Sequence, residues 1–311
     1  MILNTGSRTD IPAFYSDWFY NRIEEGYVLA RNPYYPTQIT KYLLKPEVID
    51  VLVFCTKNPA PMLDRLSLLS AFDMFWFVTI TPYGKEIEPL VPPKAQVISS
   101  FQQLSALVGS DRMSWRYDPI FITEQYSVSY HIEQFHQMAE SLSGCTDQCV
   151  VSFIDLYEKT KRNFHGIRRV TDSEQETLIA AFSEIAKKNR LQIHLCCENA
   201  NLVRENVDAD GCMTKAVLEK ALGCRLDVPQ KKTARQECAC LLGADIGAYN
   251  TCPHGCLYCY ANYDQETVKK NQKLHHASSP LLIGEVTADD MIKQAEQKSW
   301  KNGQISIFDL L

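Results

Sequence analysis

The stretch "CACLLGADIGAYNTCPHGCLYCYAN", residues 238–262, sets an apolar run that can form a strand, 238–246, just ahead of Cys252, Cys256 and Cys259. Thiolates are soft ligands for zinc or iron–sulfur clusters. Three cysteines are one short of the usual four, and the spacing C-x3-C-x2-C differs from the paired C-x2-C knuckles of zinc ribbons. His254 lies inside the three-residue gap and would have to fold back into its own loop to act as a fourth ligand. The order of strand first and ligand loop second places the loop at a strand's carboxyl end.

Similar apolar, β-branched or aromatic runs recur upstream: "MILN" (1–4), "VIDVLVFC" (48–55), "MFWFVTIT" (74–81), "RMSWRYDPI" (112–120), "CVVSFIDLY" (149–157) and "LQIHLCC" (191–197). Stretches that can be helical separate them. Near-continuous hydrophobic strands alternating with helices predict a parallel sheet covered on its outside. The clearest helix is expected at 173–189, with Ser173 and Glu176 in a capping-box pattern and Leu178, Ile179, Phe182, Ile185 and Ala186 on one apolar face. Seven such strands imply a complete or partial (β/α) barrel forming a single domain over 1–311. The segment 238–262 bears the ligands and the tail 263–311 packs on the body. Within that tail "DQETVKKNQKL" and "DDMIKQAEQ" read as helices, "SSPLLIGEV" as a loop and short strand, and the final "QISIFDLL" as a segment docking back.

In such a fold, functional groups gather at the carboxyl ends of strands. Lys57 follows the second of these strands; Thr79 and Thr81 close the third; Arg116 and Asp118 end the fourth; Asp155 ends the fifth; Glu198 follows the sixth. Any one of them can equally cap a helix or satisfy a loop. Their recurrence favours a site.

Composition limits what that site serves. The net charge of −5 over 311 residues offers no basic footprint for long nucleic acid, so a small-molecule substrate is expected. No apolar run approaches the length of a spanning helix, and the first residues carry no secretory signal, which together point to the cytoplasm. Twelve cysteines are many for that reducing compartment, and metal is the first explanation. Cys238 and Cys240, two apart on the expected strand, could join Cys212 and one of Cys196 or Cys197 in a second site holding an iron–sulfur cluster or zinc. Buried thiols that merely pack are the alternative.

The C-x3-C-x2-C motif, with aromatic Tyr258 just before its third cysteine, resembles the hallmark of radical S-adenosylmethionine enzymes. The resemblance implies that Cys252, Cys256 and Cys259 bind three irons of a [4Fe–4S] cluster. The amino and carboxylate groups of S-adenosylmethionine chelate the fourth iron, and a 5'-deoxyadenosyl radical results on reduction. Such enzymes place the motif after their first strand, whereas here it follows the last. If 238–246 is the structural first strand and "MILN" the second, the barrel is a circular permutation, plausible because domain termini often lie close together.

Read from the motif onward, "FCTKNP", "WFVTITP" and "WRYDPI" are similar to strand ends of spore photoproduct lyase and its relatives. Taken with "SRTDIPAFYSDWF", "TPYGKEIEP" and "DIGAYNTCPHGCLYCYAN", they resemble the DUF1848 family over essentially the full length. That family implies a permuted radical enzyme, a lyase cutting the modified 7-deazaguanine base queuine to preQ1, with an electron donor such as flavodoxin or ferredoxin. The resemblance puts Tyr258 near the adenine of S-adenosylmethionine. By position, Ser7, Arg8, Thr79, Thr81 and Arg116 would hold its other parts, and Gly284-Glu285 resembles a Gly-Glu that binds the methionine amino group. Asp118, Asp155 and Glu198 would face the donor-rich base, with Lys57 beside them. Repair of a nucleic-acid lesion and a zinc-bearing, non-catalytic binding protein are the competing readings.

Overall fold

The computed structural model describes residues 1–229, 240–241 and 243–302. In chain order its strands are β1 (Ile2–Asn4), β2 (Tyr27–Arg31), β3 (Gln38–Leu43), β4 (Val51–Thr56), β5 (Met74–Thr79), β6 (Met113–Ile120), β7 (Gln148–Phe153), β8 (Gln192–Leu195), β9 (Val207–Asp208), β10 (Ala244–Asp245) and β11 (Met291–Gln294). The α-helices are α1 (Ile11–Phe14), α2 (Ser16–Glu25), α3 (Ala60–Leu63), α4 (Lys94–Val108), α5 (Val128–Ser141), α6 (Glu158–Asn163), α7 (Asp172–Lys188), α8 (Lys215–Leu222) and α9 (Gln265–Gln272). Eight strands form one sheet in the order β10-β1-β4-β5-β6-β7-β8-β9, every pairing parallel. The expected parallel α/β architecture is present. Among the described residues its end strands do not pair with each other, and the sheet is compatible with a partial barrel.

Alternation along the strands sorts side chains between two cores. Leu52, Phe54, Trp76, Trp115 and Tyr117 join Phe101 of α4, Phe135 of α5 and Phe182 of α7 on the outer face. Val51, Val53, Phe75, Phe77 and Val150 point the other way, against Leu218 and Ala221 of α8. Several members of this second core, among them Val53, Phe77, Cys212 and Cys240, also line a cavity at the strands' carboxyl ends.

Three expectations from the sequence differ in the structure. The capping box of α7 lies two residues earlier than expected. The Thr171 hydroxyl accepts the Glu174 N–H at 3.3 Å, and the Glu174 carboxylate accepts the Thr171 N–H at 2.9 Å. Arg168, which forks onto the same carboxylate, favours Glu174 over Glu176. "DDMIKQAEQ" is not helical: residues 291–294 form β11, drawn into a strand by parallel pairing with β3, which in turn pairs antiparallel with β2. That three-stranded sheet was not anticipated. Cys240 lies outside the two-residue β10, and Cys238 and "QISIFDLL" are outside the described residues.

The tail is strapped to the body through backbone carbonyls. Trp18 Nε1 donates to Ser279 O at 2.8 Å, Asn21 to Ala277 O at 2.9 Å and Arg22 to Ser278 O at 3.0 Å. Asp50 binds the amino-terminal ammonium together with Ser299 and Trp300. Among the described residues, no helix is long and apolar enough to cross a membrane.

Candidate functional site

A cavity of about 490 Å³ opens at the carboxyl ends of the parallel strands. A second hollow of about 420 Å³, lined by Ser110, Thr146, Asp147 and Arg190, lies at the amino ends of β6, β7 and β8 and contains no cysteine. The larger cavity brings together residues from both ends of the chain because β10 pairs with β1. Cys252, Cys256, Cys259 and Tyr258 line it, as do Ser7, Lys57, Thr79, Arg116, Asp118, Asp155, Glu198, Cys196, Cys212 and Cys240. Arg8 and Thr81 do not. Arg8 stands 4.0 Å from Asp245 and over the Tyr249 ring, while Thr81 is buried behind Lys57. Gly284 and Glu285 are also absent from the lining, and the Glu285 carbonyl is bound to Arg31.

The cysteine loop is held from several sides. Leu257 N–H donates to Ile87 O at 3.0 Å, Leu90 N–H to His254 O at 3.0 Å, Tyr15 OH to Thr251 O at 2.5 Å, and Asn262 Nδ2 to Cys252 O at 2.7 Å. Gly255 sits at φ +76°, where a side chain would be strained, so the residue before Cys256 is glycine for a conformational reason. In the neighbouring loop a Cβ on Gly6 would lie 2.4 Å from Cys55 Cβ, so only glycine lets the chain after β1 close against β4.

His254 is a bracket for this loop. Its Nε2 meets Asp10 Oδ2 at 2.9 Å, and the same oxygen accepts the Lys57 N–H at 2.8 Å. One carboxylate thereby joins the loops after β1, β4 and β10. Glu88 is a second bracket. Its Oε1 accepts Lys57 Nζ at 2.9 Å, Thr81 Oγ1 at 2.5 Å and Tyr258 OH. Burial opposes charge on both members of the pair. Lys57 nevertheless stays above the usual lysine value beside Glu88, and Glu88 below the usual carboxylate value under Lys57, Thr81 and Tyr258. Neither Asp10 nor Glu88 carried a spacing signal in the sequence, since each acts on residues far away in the chain.

The three motif thiols are pushed up by burial, and for Cys252 and Cys256 by neighbouring negative charge as well. Three desolvated thiols lining one cavity, none in a disulfide, are a donor set that a cationic metal group would deprotonate and hold. Among the described residues, however, no three His, Cys, Asp or Glu side chains form a ready-made group for a metal ion. The donor chemistry suits a soft metal group, while the described side chains form no preformed cage.

On the far wall, Arg116 Nε donates to Asp118 Oδ2 at 3.1 Å, Nη2 reaches the same oxygen, and Ser152 Oγ binds Oδ1. Asp118 is therefore committed. Tyr157 OH donates to Asp155 Oδ2 at 3.0 Å. Glu198 Oε1 accepts the Phe153 N–H at 2.7 Å, and burial, reinforced by Asp155 and Asp118, pushes its carboxyl up to about 8. Beside Arg116, Cys212 Sγ and Cys240 Sγ are 3.7 Å apart. The Cys196 thiol is pushed up to about 12, a lowering contact from Cys197 being outweighed by Cys212 and burial.

The family model of DUF1848, a domain of unknown function, matches residues 2–261. The chain belongs to the DUF1848 family. No curated protein and no solved structure matches it. The match ends just past Cys259, so the family region of this DUF1848 protein contains β1 through β10 and every cavity-lining residue.

Proposed function

We propose that this DUF1848 protein is a radical S-adenosylmethionine enzyme with a circularly permuted, radical-SAM-like partial barrel, acting as a lyase on the modified 7-deazaguanine base queuine to give preQ1. The observation that carries the reading is that Cys252, Cys256 and Cys259, spaced C-x3-C-x2-C, all face one cavity whose far wall bears Asp155 and Glu198. Cys252, Cys256 and Cys259 would hold the [4Fe–4S] cluster, and Ser7, Thr79 and Tyr258 border the space next to it. When bound, the cluster and S-adenosylmethionine supply a 5'-deoxyadenosyl radical that abstracts a hydrogen atom from substrate.

The chain's own residues do the remaining work. Lys57, locked by Glu88, sets a fixed cation beside Tyr258, 5.5 Å from its ring. Burial, with Asp155 and Asp118 nearby, pushes the Glu198 carboxyl up to about 8, which favours its protonated form near neutral pH. With Oε1 accepting the Phe153 N–H, Oε2 is the oxygen from which a protonated carboxyl would donate. Asp155 supplies an acceptor at the same wall. A deazaguanine with an aminomethyl side chain offers complementary N–H donors and an amine. Asp118, held by Ser152, pairs with Arg116 and lines the same cavity.

The test is anaerobic purification. The protein should be brown, with about four iron and four sulfide per chain. Reductant and S-adenosylmethionine should release 5'-deoxyadenosine with consumption of queuine, and Cys256→Ala should abolish both. A colourless protein containing zinc would refute the radical reading. Formation of 5'-deoxyadenosine without any response to queuine would refute the substrate alone.

A further inference from the structure

The segment 157–170, "YEKTKRNFHGIRRV", carries five Lys and Arg against one Glu, a net +4 within a chain of net −5. It packs directly on the cysteine loop. Lys159 Nζ donates to Tyr260 O at 3.3 Å, Asn163 Nδ2 to Tyr263 O at 3.3 Å, and Arg162 binds the same carbonyl with its guanidinium 3.9 Å from the Tyr263 ring. Lys161, Arg162, His165, Arg168 and Arg169 are exposed, Lys161 pairing with Glu158 and Arg168 with Glu174, and Tyr260 and Tyr263 are each about half exposed. Tyr260 immediately follows Cys259 and also lines the cavity, its OH donating to Ser7 O at 2.6 Å.

We infer that this basic face, edged by Tyr260 and Tyr263, is the docking surface for an acidic one-electron carrier protein. The inference rests on the reading that Cys252, Cys256 and Cys259 hold a cluster. A carrier seated here lies one residue from a cluster ligand. In the step it serves, the carrier is oxidised by one electron and the cluster reduced by one, with no bond made or broken. The negative net charge of the chain turns an acidic partner away elsewhere, so the local cations select orientation as well as affinity. Two half-exposed aromatic rings with a charged rim suit a small, transient interface. A single short basic segment is too limited a track for the backbone of a long nucleic acid.

The experiment titrates the full-length protein with flavodoxin as the acidic probe, and follows cluster reduction by electron paramagnetic resonance with either flavodoxin hydroquinone or dithionite. Lys161→Glu/Arg169→Glu should weaken flavodoxin binding about tenfold at about 50 mM salt and slow flavodoxin-driven reduction in proportion. Both differences should fade at about 0.5 M salt. Lys161→Gln/Arg169→Gln should weaken binding about threefold, and dithionite should reduce the cluster equally in all three proteins. Unchanged flavodoxin binding and reduction in the double variant overturns the docking surface and leaves the cluster standing. So does a variant that loses affinity for a single-stranded oligonucleotide while flavodoxin is unaffected. A protein that holds no iron overturns the docking surface and the reading beneath it together.

Discussion

Glu88→Gln tests whether the cysteine loop is held as described. Lys57 and Glu88 are 12% and 5% exposed, and the Lys57 ammonium stands 2.9 Å from Glu88 Oε1. Removing one charge from a buried pair costs about 3–5 kcal/mol, because the partner is left uncompensated. Glutamine keeps an acceptor for Thr81 and Tyr258, so the loss belongs at the lower end, about 3 kcal/mol. For 311 residues the unfolding entropy is about 0.65 kcal/mol/K, which converts that loss to a melting temperature about 5 °C lower. Lys57→Met should cost less, since Glu88 retains two donors. The double variant should recover about 1–2 kcal/mol relative to the sum. Urea titrations of the metal-free protein give the energies, and iron content after reconstitution reports the loop. If Glu88→Gln changes stability by less than about 0.5 kcal/mol, or the double-mutant coupling is zero, the bracket is not holding the site.

His131 is buried, with Nδ1 facing Tyr117 OH at 2.8 Å and Nε2 facing Phe121 O at 2.9 Å, and burial pushes it from 6.5 down to about 4. Its stabilisation is therefore complete above pH 6.5 and lost as pH falls through 4, about 3 kcal/mol in all; His131→Gln should flatten that slope in pH-dependent unfolding. Thr171→Ala should cost about 1 kcal/mol through loss of the α7 cap, read as a small drop in melting temperature. Glu174, held down to about 2 mainly by Arg168, contributes above its ordinary 4.5, and the difference between wild type and Glu174→Gln should vanish as pH falls through 2. Gly255→Ala should impair cluster incorporation despite having room for a methyl, because its φ of +76° is the constraint; unchanged iron loading would refute that.

What the sequence made legible depended on period and spacing. Val51–Thr56, Met74–Thr79 and the first three residues of β6 are buried on both faces nearly throughout, and such runs declare a parallel strand without any knowledge of partners. The C-x3-C-x2-C motif is similarly local. Strand β11 was invisible for the opposite reason: all four of its residues are exposed, so no apolar pattern marks it, and pairing with β3 alone makes it a strand. Thr81 ends an apolar run, yet its hydroxyl is engaged by Lys57 and Glu88 and it does not line the cavity. Asp10 and Glu88 were missed because their partners lie on other loops. A polar residue's role in this site is set by which strand ends become neighbours.

That dependence makes the β10–β1 pairing the decisive contact of the molecule. Leu3 is in register with Ala244 and Asn4 with Asp245, so chain positions some 240 residues apart begin their loops side by side. Asp245 then accepts the Ser7 N–H at 2.9 Å, and Asp10 meets His254. The short loop after β1 is consequently shaped by the same elements that carry the cysteines. Breaking this junction should disturb the cysteine loop and the Ser7 wall together, even though the six strands from β4 to β9 keep their own pairings. Asp245→Asn is the mild form of that perturbation: the Ser7 and Gly247 N–H bonds can survive on one amide oxygen only in part. Amide exchange should rise in both 5–10 and 250–262 while β5, β6 and β7 stay protected. Exchange confined to one of the two loops would mean that they are built independently.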